Sequence, residues 1–183
     1  MFFVLGASGS GKTSVLKKIK LAESHVAYDF DDIGVPQGAD KQWRQQATAE
    51  WLDKIVASNK ESGSCLFGQL VLGEILACCP SKKLSSINVC FLDCNDATRV
   101  ARLKHRQSPV DQHTLNWASW LRMHHEDPQW EQHVIKENSL KQLNFSCWDQ
   151  HTSWDELANV YKLDTSDLLI EEVCQQVEKW VSK

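Results

Sequence analysis

Residues 6–13 read Gly-Ala-Ser-Gly-Ser-Gly-Lys-Thr, a complete match to the phosphate-binding pattern Gly-x-x-x-x-Gly-Lys-Ser/Thr. The pattern constrains the fold because it works only between a strand and a helix. Both flanks are present. Phe2-Phe3-Val4-Leu5 is an apolar run suited to a buried strand, and downstream Val15, Leu16 and Ile19 form one apolar helical stripe. Gly6, Gly9 and Gly11 let the chain bend tightly and bring backbone N–H groups close to an anion, where a Cβ would obstruct. Those N–H groups and the positive end of the following helix cradle phosphate oxygens. Gly6, Ala7, Ser8, Gly9, Ser10, Gly11, Lys12, Thr13 and Ser14 are therefore assigned to a bound nucleoside triphosphate. Lys12 supplies a mobile charge for the β- and γ-phosphates, and the Thr13 hydroxyl a ligand for Mg²⁺.

The remaining chain repeats the strand-then-helix unit. Strands are expected at 25–29, 65–68, 87–93 and 160–164, and helices at about 40–59, 70–79, 96–106 and 167–181, with Asn95 as an N-cap. Such alternation implies an α/β fold with five parallel strands and helices on both faces. Ligands of such sheets sit at the carboxyl ends of the strands, where residues 6–13, the acidic cluster at Asp29, Gln69 and Asp93 converge. No repeat or low-complexity linker interrupts the chain. Its 183 residues read as one domain, 1–183, with 107–155 as a helical lid and substrate-selecting insert. That insert holds five of the eight tryptophans and five of the seven histidines.

Bulk properties exclude several classes. A net charge of −4 gives no basic field to recruit nucleic acid or anionic membrane. Seven cysteines without a C-x-x-C pair suit a reducing cytoplasm, with Cys65, Cys78, Cys79 and Cys90 as small core residues. The apolar start is too short for a signal peptide or a membrane span. Monomer and homodimer both remain open.

Two further groups carry chemistry. If the chain stays extended after residue 29, Asp29 and Asp31 share a face. One is then placed to hold Mg²⁺ and the other to take a proton from a substrate hydroxyl. Arg99, Arg102 and Arg106 lie three and four residues apart, on one face of the helix after residue 93. Phosphoryl transfer needs such cationic forks around the moving group.

Together, the glycine loop, the Asp-x-Asp at 29–31 and the stretch from Leu92 to Arg106 resemble the P-loop small-molecule kinases, among them nucleoside monophosphate, shikimate and gluconate kinases. The resemblance covers the framework and not the insert. It implies a three-layer α/β/α P-loop NTPase fold, with ATP and Mg²⁺ as cofactors and transfer to a hydroxyl or phosphate of a small acceptor. By similarity Lys12, Arg102 and Arg106 are catalytic, Arg99 contacts the nucleotide, and Asp164 and Thr165 lie beside the base. Asp29 falls near Mg²⁺ and Asp31 on the acceptor hydroxyl. Arg44, Gln69 and Arg122 complete the substrate set.

The Trp117–Trp120 pair reads either as core or as a stacking platform. His124, His125 and His133 lack the ligand spacing of a zinc site. A regulatory ATPase is the second reading, strengthened if Asp93 is the Mg²⁺ carboxylate. A nucleic-acid kinase is the third, disfavoured by the acidic balance.

Overall fold

The computed structural model describes residues 1–182. Five strands, β1 (Phe2–Leu5), β2 (Val26–Asp29), β3 (Ser64–Gly68), β4 (Asn88–Asp93) and β5 (Asn159–Asp164), pair in the order β2-β3-β1-β4-β5, every pair parallel. The helices are α1 (Lys12–Lys18), α2 (Lys41–Ala57), α3 (Leu72–Ala77), α4 (Asp96–His105), α5 (Gln112–His124), α6 (His133–Lys136) and α7 (Ile170–Val181). They cover both faces of the sheet, the three-layer α/β/α arrangement that the sequence implied. No helix of the described residues is long and apolar enough to cross a membrane.

Alternation along the strands splits the interior into two cores. Val4, Cys65, Phe67, Cys90 and Leu92 pack against Val15 of α1 and Val173, Val177 and Trp180 of α7. Phe3, Leu5, Leu66, Val89 and Phe91 face the other way, onto Leu52 and Ile55 of α2, Ile75 of α3 and Leu121 of α5. β1 is central. The chain runs from it to β2 and β3 on one side and later to β4 and β5 on the other, so residues 6–13 emerge where the strand order reverses.

Residues 107–155 are seated in this second core. Trp120, Leu121, Ile135, Trp148 and Trp154 are all part of it. Trp148 is fully buried, and its indole N–H donates to the Gly73 carbonyl at 2.8 Å. A Cβ on Gly73 would lie 2.6 Å from the Trp148 ring, so only glycine lets α3 approach that closely. The Trp154 indole donates to the His124 carbonyl at 2.7 Å. His124 stacks on Trp120 with ring centroids 4.7 Å apart, and His125 on Phe91 at 4.1 Å.

Element ends differ from expectation where side chains compete for the backbone. α3 stops at Ala77, because Cys78 is extended and Pro80 opens a 3₁₀ turn at Cys79–Lys83. α7 starts at Ile170, later than Asp167, because the Asp164 carboxylate takes the Ser166 N–H and hydroxyl and holds that segment in a turn. Cys79 is exposed in that 3₁₀ turn and is not a core residue.

Burial sets an acid limit on stability. His124 is pulled down from 6.5 to about 3 by desolvation, and His125 well below 6.5 by desolvation and then by the His124 and Lys162 charges. Neither ring has a hydrogen-bond partner for either nitrogen. Between the folded and unfolded values the unfolded chain binds more protons, so stability falls as pH drops below about 6.5. We predict a loss of up to about 1.4 kcal/mol per pH unit for each ring, read by urea unfolding between pH 7 and 5. His124→Phe should flatten the profile. A pH-independent wild type over that interval would refute the assignment.

Candidate active site

The loop at 6–13 is held from behind. Gly6, Gly9 and Gly11 have φ of 154°, 83° and 103°, and a Cβ on Gly6 would meet the Leu92 carbonyl at 2.3 Å. Arg99 of α4 is fully buried, and its Nη1 donates to the Ser8 carbonyl at 2.6 Å. Arg102 Nη1 donates to the Gly9 carbonyl at 3.3 Å and to Thr165 Oγ1 at 2.9 Å. The buried Thr165 hydroxyl lies 3.1 Å from the Ser10 carbonyl. Three successive carbonyls are thus engaged on the rear side, while the Gly9 and Gly11 amides have no backbone acceptor. Donors without acceptors on a tight loop form an anion cradle. Lys12 reaches back over it, donating to the Ala7 carbonyl at 3.0 Å.

The sequence-assigned residues divide by position. Lys12, Thr13, Asp29, Asp31, Arg44, Gln69 and Arg106 line one cleft of about 880 Å³ in front of the loop. Arg102, Thr165 and again Arg106 line a groove of about 470 Å³ on its other side, with Leu168, Ile170 and Val173 as apolar walls. Gly9, Gly11, Ser14 and Arg106 border both cavities. Arg106 is exposed at the end of α4 and makes no side-chain hydrogen bond or ion pair among the described residues.

Five assignments line neither cavity: Gly6 and Ala7 within the loop, and Arg99, Arg122 and Asp164 outside it. Arg99 lies behind the loop, its Nη2 2.6 Å from Asp93 Oδ1. Arg122 binds the other oxygen of Asp93, Nε to Oδ2 at 2.5 Å, and extends to Asp96. It therefore joins the end of β4 to the start of α4 and does not line the cleft in front of the loop. Asp164 is held by Ser166, whose hydrogen bonds keep its carboxyl below the usual range. It borders a separate hollow with Asp93 and Arg122.

Asp29 and Asp31 share the cleft by a different route from strand alternation. β2 ends at Asp29, and Phe30–Ile33 forms a 3₁₀ turn in which Asp29 Oδ1 accepts from the Asp31 N–H at 3.1 Å. Phe30 turns inward, and its carbonyl takes the Trp51 indole N–H at 2.9 Å. Gly68 leaves the space, since a Cβ there would lie 2.4 Å from Phe30 Cβ. Desolvation, then the Asp29 charge, raise the Asp31 carboxyl. Lys12 is lowered to about 7, first by burial and then by Arg99 and Arg106, against the pull of Asp31 and Asp29.

The far wall was only partly foreseen. Arg44 forms a two-point pair with the fully buried Glu74, Nε to Oε2 and Nη2 to Oε1, each 2.8 Å. Gln45 also donates to Glu74, at 2.9 Å. The guanidinium lies 4.7 Å from the Trp117 ring centre, and Trp120 stacks on Trp117 at 5.1 Å. Trp117 thus supports Arg44 while resting on Trp120, and it borders the cleft. A carboxylate inside the apolar run Leu72-Gly73-Glu74-Ile75 was the available signal for Glu74. Gln69 accepts from the Ser8 hydroxyl at 3.2 Å, which orients its amide N–H groups.

No family model and no curated protein sequence matches the chain. Solved structures do. A sugar kinase from Janibacter sp. HTCC2649 superposes with a TM-score of 0.58 at 15% identity, over 99% of this chain and 93% of that one. A gluconokinase from Sinorhizobium meliloti 1021 gives 0.55 at 12%, over 99% and 90%. A shikimate kinase from Acinetobacter baumannii in complex with shikimate gives 0.53 at 15%, over 99% and 92%. The chain has the fold of the P-loop small-molecule kinases.

A lysine that titrates near neutrality in the free protein must gain a proton when a triphosphate binds. We predict proton uptake on binding at pH 8, measured by calorimetry in buffers of different ionisation enthalpy. Affinity should weaken as pH rises above about 7, by up to about tenfold per unit. Proton-neutral binding at pH 8 would remove the Lys12 assignment.

Proposed function

We propose that the protein is an ATP-dependent small-molecule kinase, transferring the γ-phosphoryl group to a hydroxyl or phosphate of a small acceptor. One observation carries the reading: a single loop borders two cavities, and Arg106 stands at their junction. A groove with apolar walls on one side suits a nucleotide base, and a polar cleft on the other suits an acceptor. A binding-only switch has no need of the second.

In this reading the loop amides and Lys12 hold the phosphates, and Arg106 neutralises charge on the moving group. Asp31, with its raised carboxyl, orients the acceptor hydroxyl and takes its proton. Thr13 and Asp29 offer hard oxygen ligands in the same cleft, a donor set that fits Mg²⁺. When bound, Mg²⁺ would supply charge neutralisation at the β- and γ-phosphates. Arg99 and Arg102 act as positioning residues for the loop. The lid role falls to the start of the insert, since His113, Thr114 and Trp117 border the cleft while Trp148 and Trp154 lie in the core. We place the protein in the cytoplasm, with no nucleic-acid or membrane partner, as a monomer or homodimer.

The regulatory ATPase reading would be strengthened by Asp93 as the Mg²⁺ carboxylate. Both Asp93 oxygens are instead paired with arginines, outside the phosphate cleft. That weighs against it.

A phosphoryl-acceptor screen with ATP and Mg²⁺ tests the proposal. On a turned-over acceptor, Lys12→Ala should lower kcat/KM on the order of 10³-fold. Asp31→Asn should lower kcat on the order of 10²–10⁴-fold while leaving ATP affinity nearly intact. Normal transfer by Asp31→Asn would remove it from the chemistry.

A further inference from the structure

The cleft's charge balance narrows the acceptor. Leaving aside the loop and Arg106, the acids at or directly behind its walls are Asp29, Asp31, Asp40 and Glu74, and the cations are Lys41 and Arg44. Neither cation is set up as an anion grip. The Arg44 charge is already matched by Glu74 at two points. The Lys41 ammonium donates to the Val134 carbonyl at 3.1 Å and also to the Glu137 carbonyl. The start of α2 is capped by its own carboxylate, Asp40 Oδ1 accepting from the Trp43 N–H at 2.9 Å. An anion placed here would meet one cation without an acid partner among the described residues, Lys41, already turned onto two backbone carbonyls, against three carboxylates without a cationic partner, Asp29, Asp31 and Asp40. It would also face a bound Mg²⁺-triphosphate that is itself net negative.

What remains suits neutral oxygen groups. The side-on Arg44–Glu74 pair leaves the Arg44 Nη1 hydrogens unused, and the Gln69 amide, fixed by Ser8, has two more N–H donors. Asp29 and Asp31 supply acceptors for hydroxyl hydrogens. Phe30, Trp43 and Phe67 add apolar lining. We infer that the acceptor is a hydroxyl compound carrying neither phosphate nor carboxylate. Building on the kinase reading, this removes nucleoside monophosphates and sugar acids from its acceptor classes.

The test uses matched pairs: nucleosides with their 5′-monophosphates, and alditols with the corresponding aldonic acids. Transfer from Mg-ATP is measured on the full chain. The neutral member of the productive pair should exceed its anionic partner by about 100-fold in kcat/KM. Asp40→Asn removes one exposed negative charge and keeps an N-cap side chain. It should narrow that ratio by about threefold to tenfold, through improved use of the anion. An anionic member that equals or exceeds its neutral partner overturns the inference and leaves the kinase reading standing. An unchanged ratio in Asp40→Asn also overturns it. Absence of transfer to every acceptor counts against the kinase reading. In that case, calorimetric binding of the same pairs to protein saturated with a non-hydrolysable ATP analogue reads the inference by itself. Preferential binding of the neutral member supports it, and equal or tighter anion binding, or none of either, overturns it.

Discussion

Everything in front of the phosphate loop depends on what is tied behind it. The Ser8, Gly9 and Ser10 carbonyls are engaged by Arg99, Arg102 and Thr165, so the loop cannot relax by turning those oxygens toward the anion site. The critical link is Arg99, fully buried between Ser8 and Asp93. A buried ion pair is a poor source of net stability, because desolvation offsets attraction. Removing one partner is another matter. It leaves a charge stranded in the interior, at a cost of about 3–5 kcal/mol. The pair therefore specifies loop shape more than it adds stability, and Arg122, on the second Asp93 oxygen, keeps the carboxylate from being half-satisfied.

That arrangement divides labour across the sheet. β4, α4 and the turn after β5 build the cradle and spend their charges on it. β2, β3 and α2 supply the groups that face the cleft: Asp29, Asp31, Gln69 and Arg44. β1 lies between the two halves, so its loop is the one element in contact with both. The β4 carboxylate is used for structure, and the free acids stand after β2. The register puts Asp29 beside Phe67 and one residue short of Gly68, where the missing Cβ lets Phe30 tuck under. Backbone packing thus brings the acids into the cleft in front of the loop.

Legibility in the sequence followed how local each determinant is. The loop, its strand and its helix are fixed within twenty residues, and they read correctly. So do the five strands, of which the central three, β1, β3 and β4, are apolar runs buried on both faces. The three arginines were not separable. Helical spacing puts Arg99, Arg102 and Arg106 on one face, but their depth along it is set by where α4 meets the loop. Arg99 is fully buried, Arg102 partly so, and Arg106 is exposed at the helix end. Asp29 and Asp31 would share a strand face in an extended chain, whereas Asp29 captures the Asp31 amide and turns it. The tryptophans of the insert gave no strand or helix period long enough to separate a lid from a core. Trp148 and Trp154 meet His124 across more than twenty residues, a contact that no local pattern encodes.

The same contacts bear on how the acceptor side is held. α5 is one continuous helix whose start borders the cleft at His113, Thr114 and Trp117 and whose end is fixed in the core at Trp120, Leu121 and His124. Trp117 rests on Trp120, Trp120 on His124, and Arg44 lies over Trp117. The guanidinium is thus positioned by a column of rings rooted in the core, with Glu74 fixing its rotation from the side. Binding groups mounted this way give up little freedom when a ligand arrives, the condition for selectivity by geometry and charge. On the proposed kinase reading, acceptor preference would depend on buried packing in α3 and α5 as much as on the residues that touch the cleft. Gly73 belongs to the same machinery, since the space it leaves seats both Trp148 and His124.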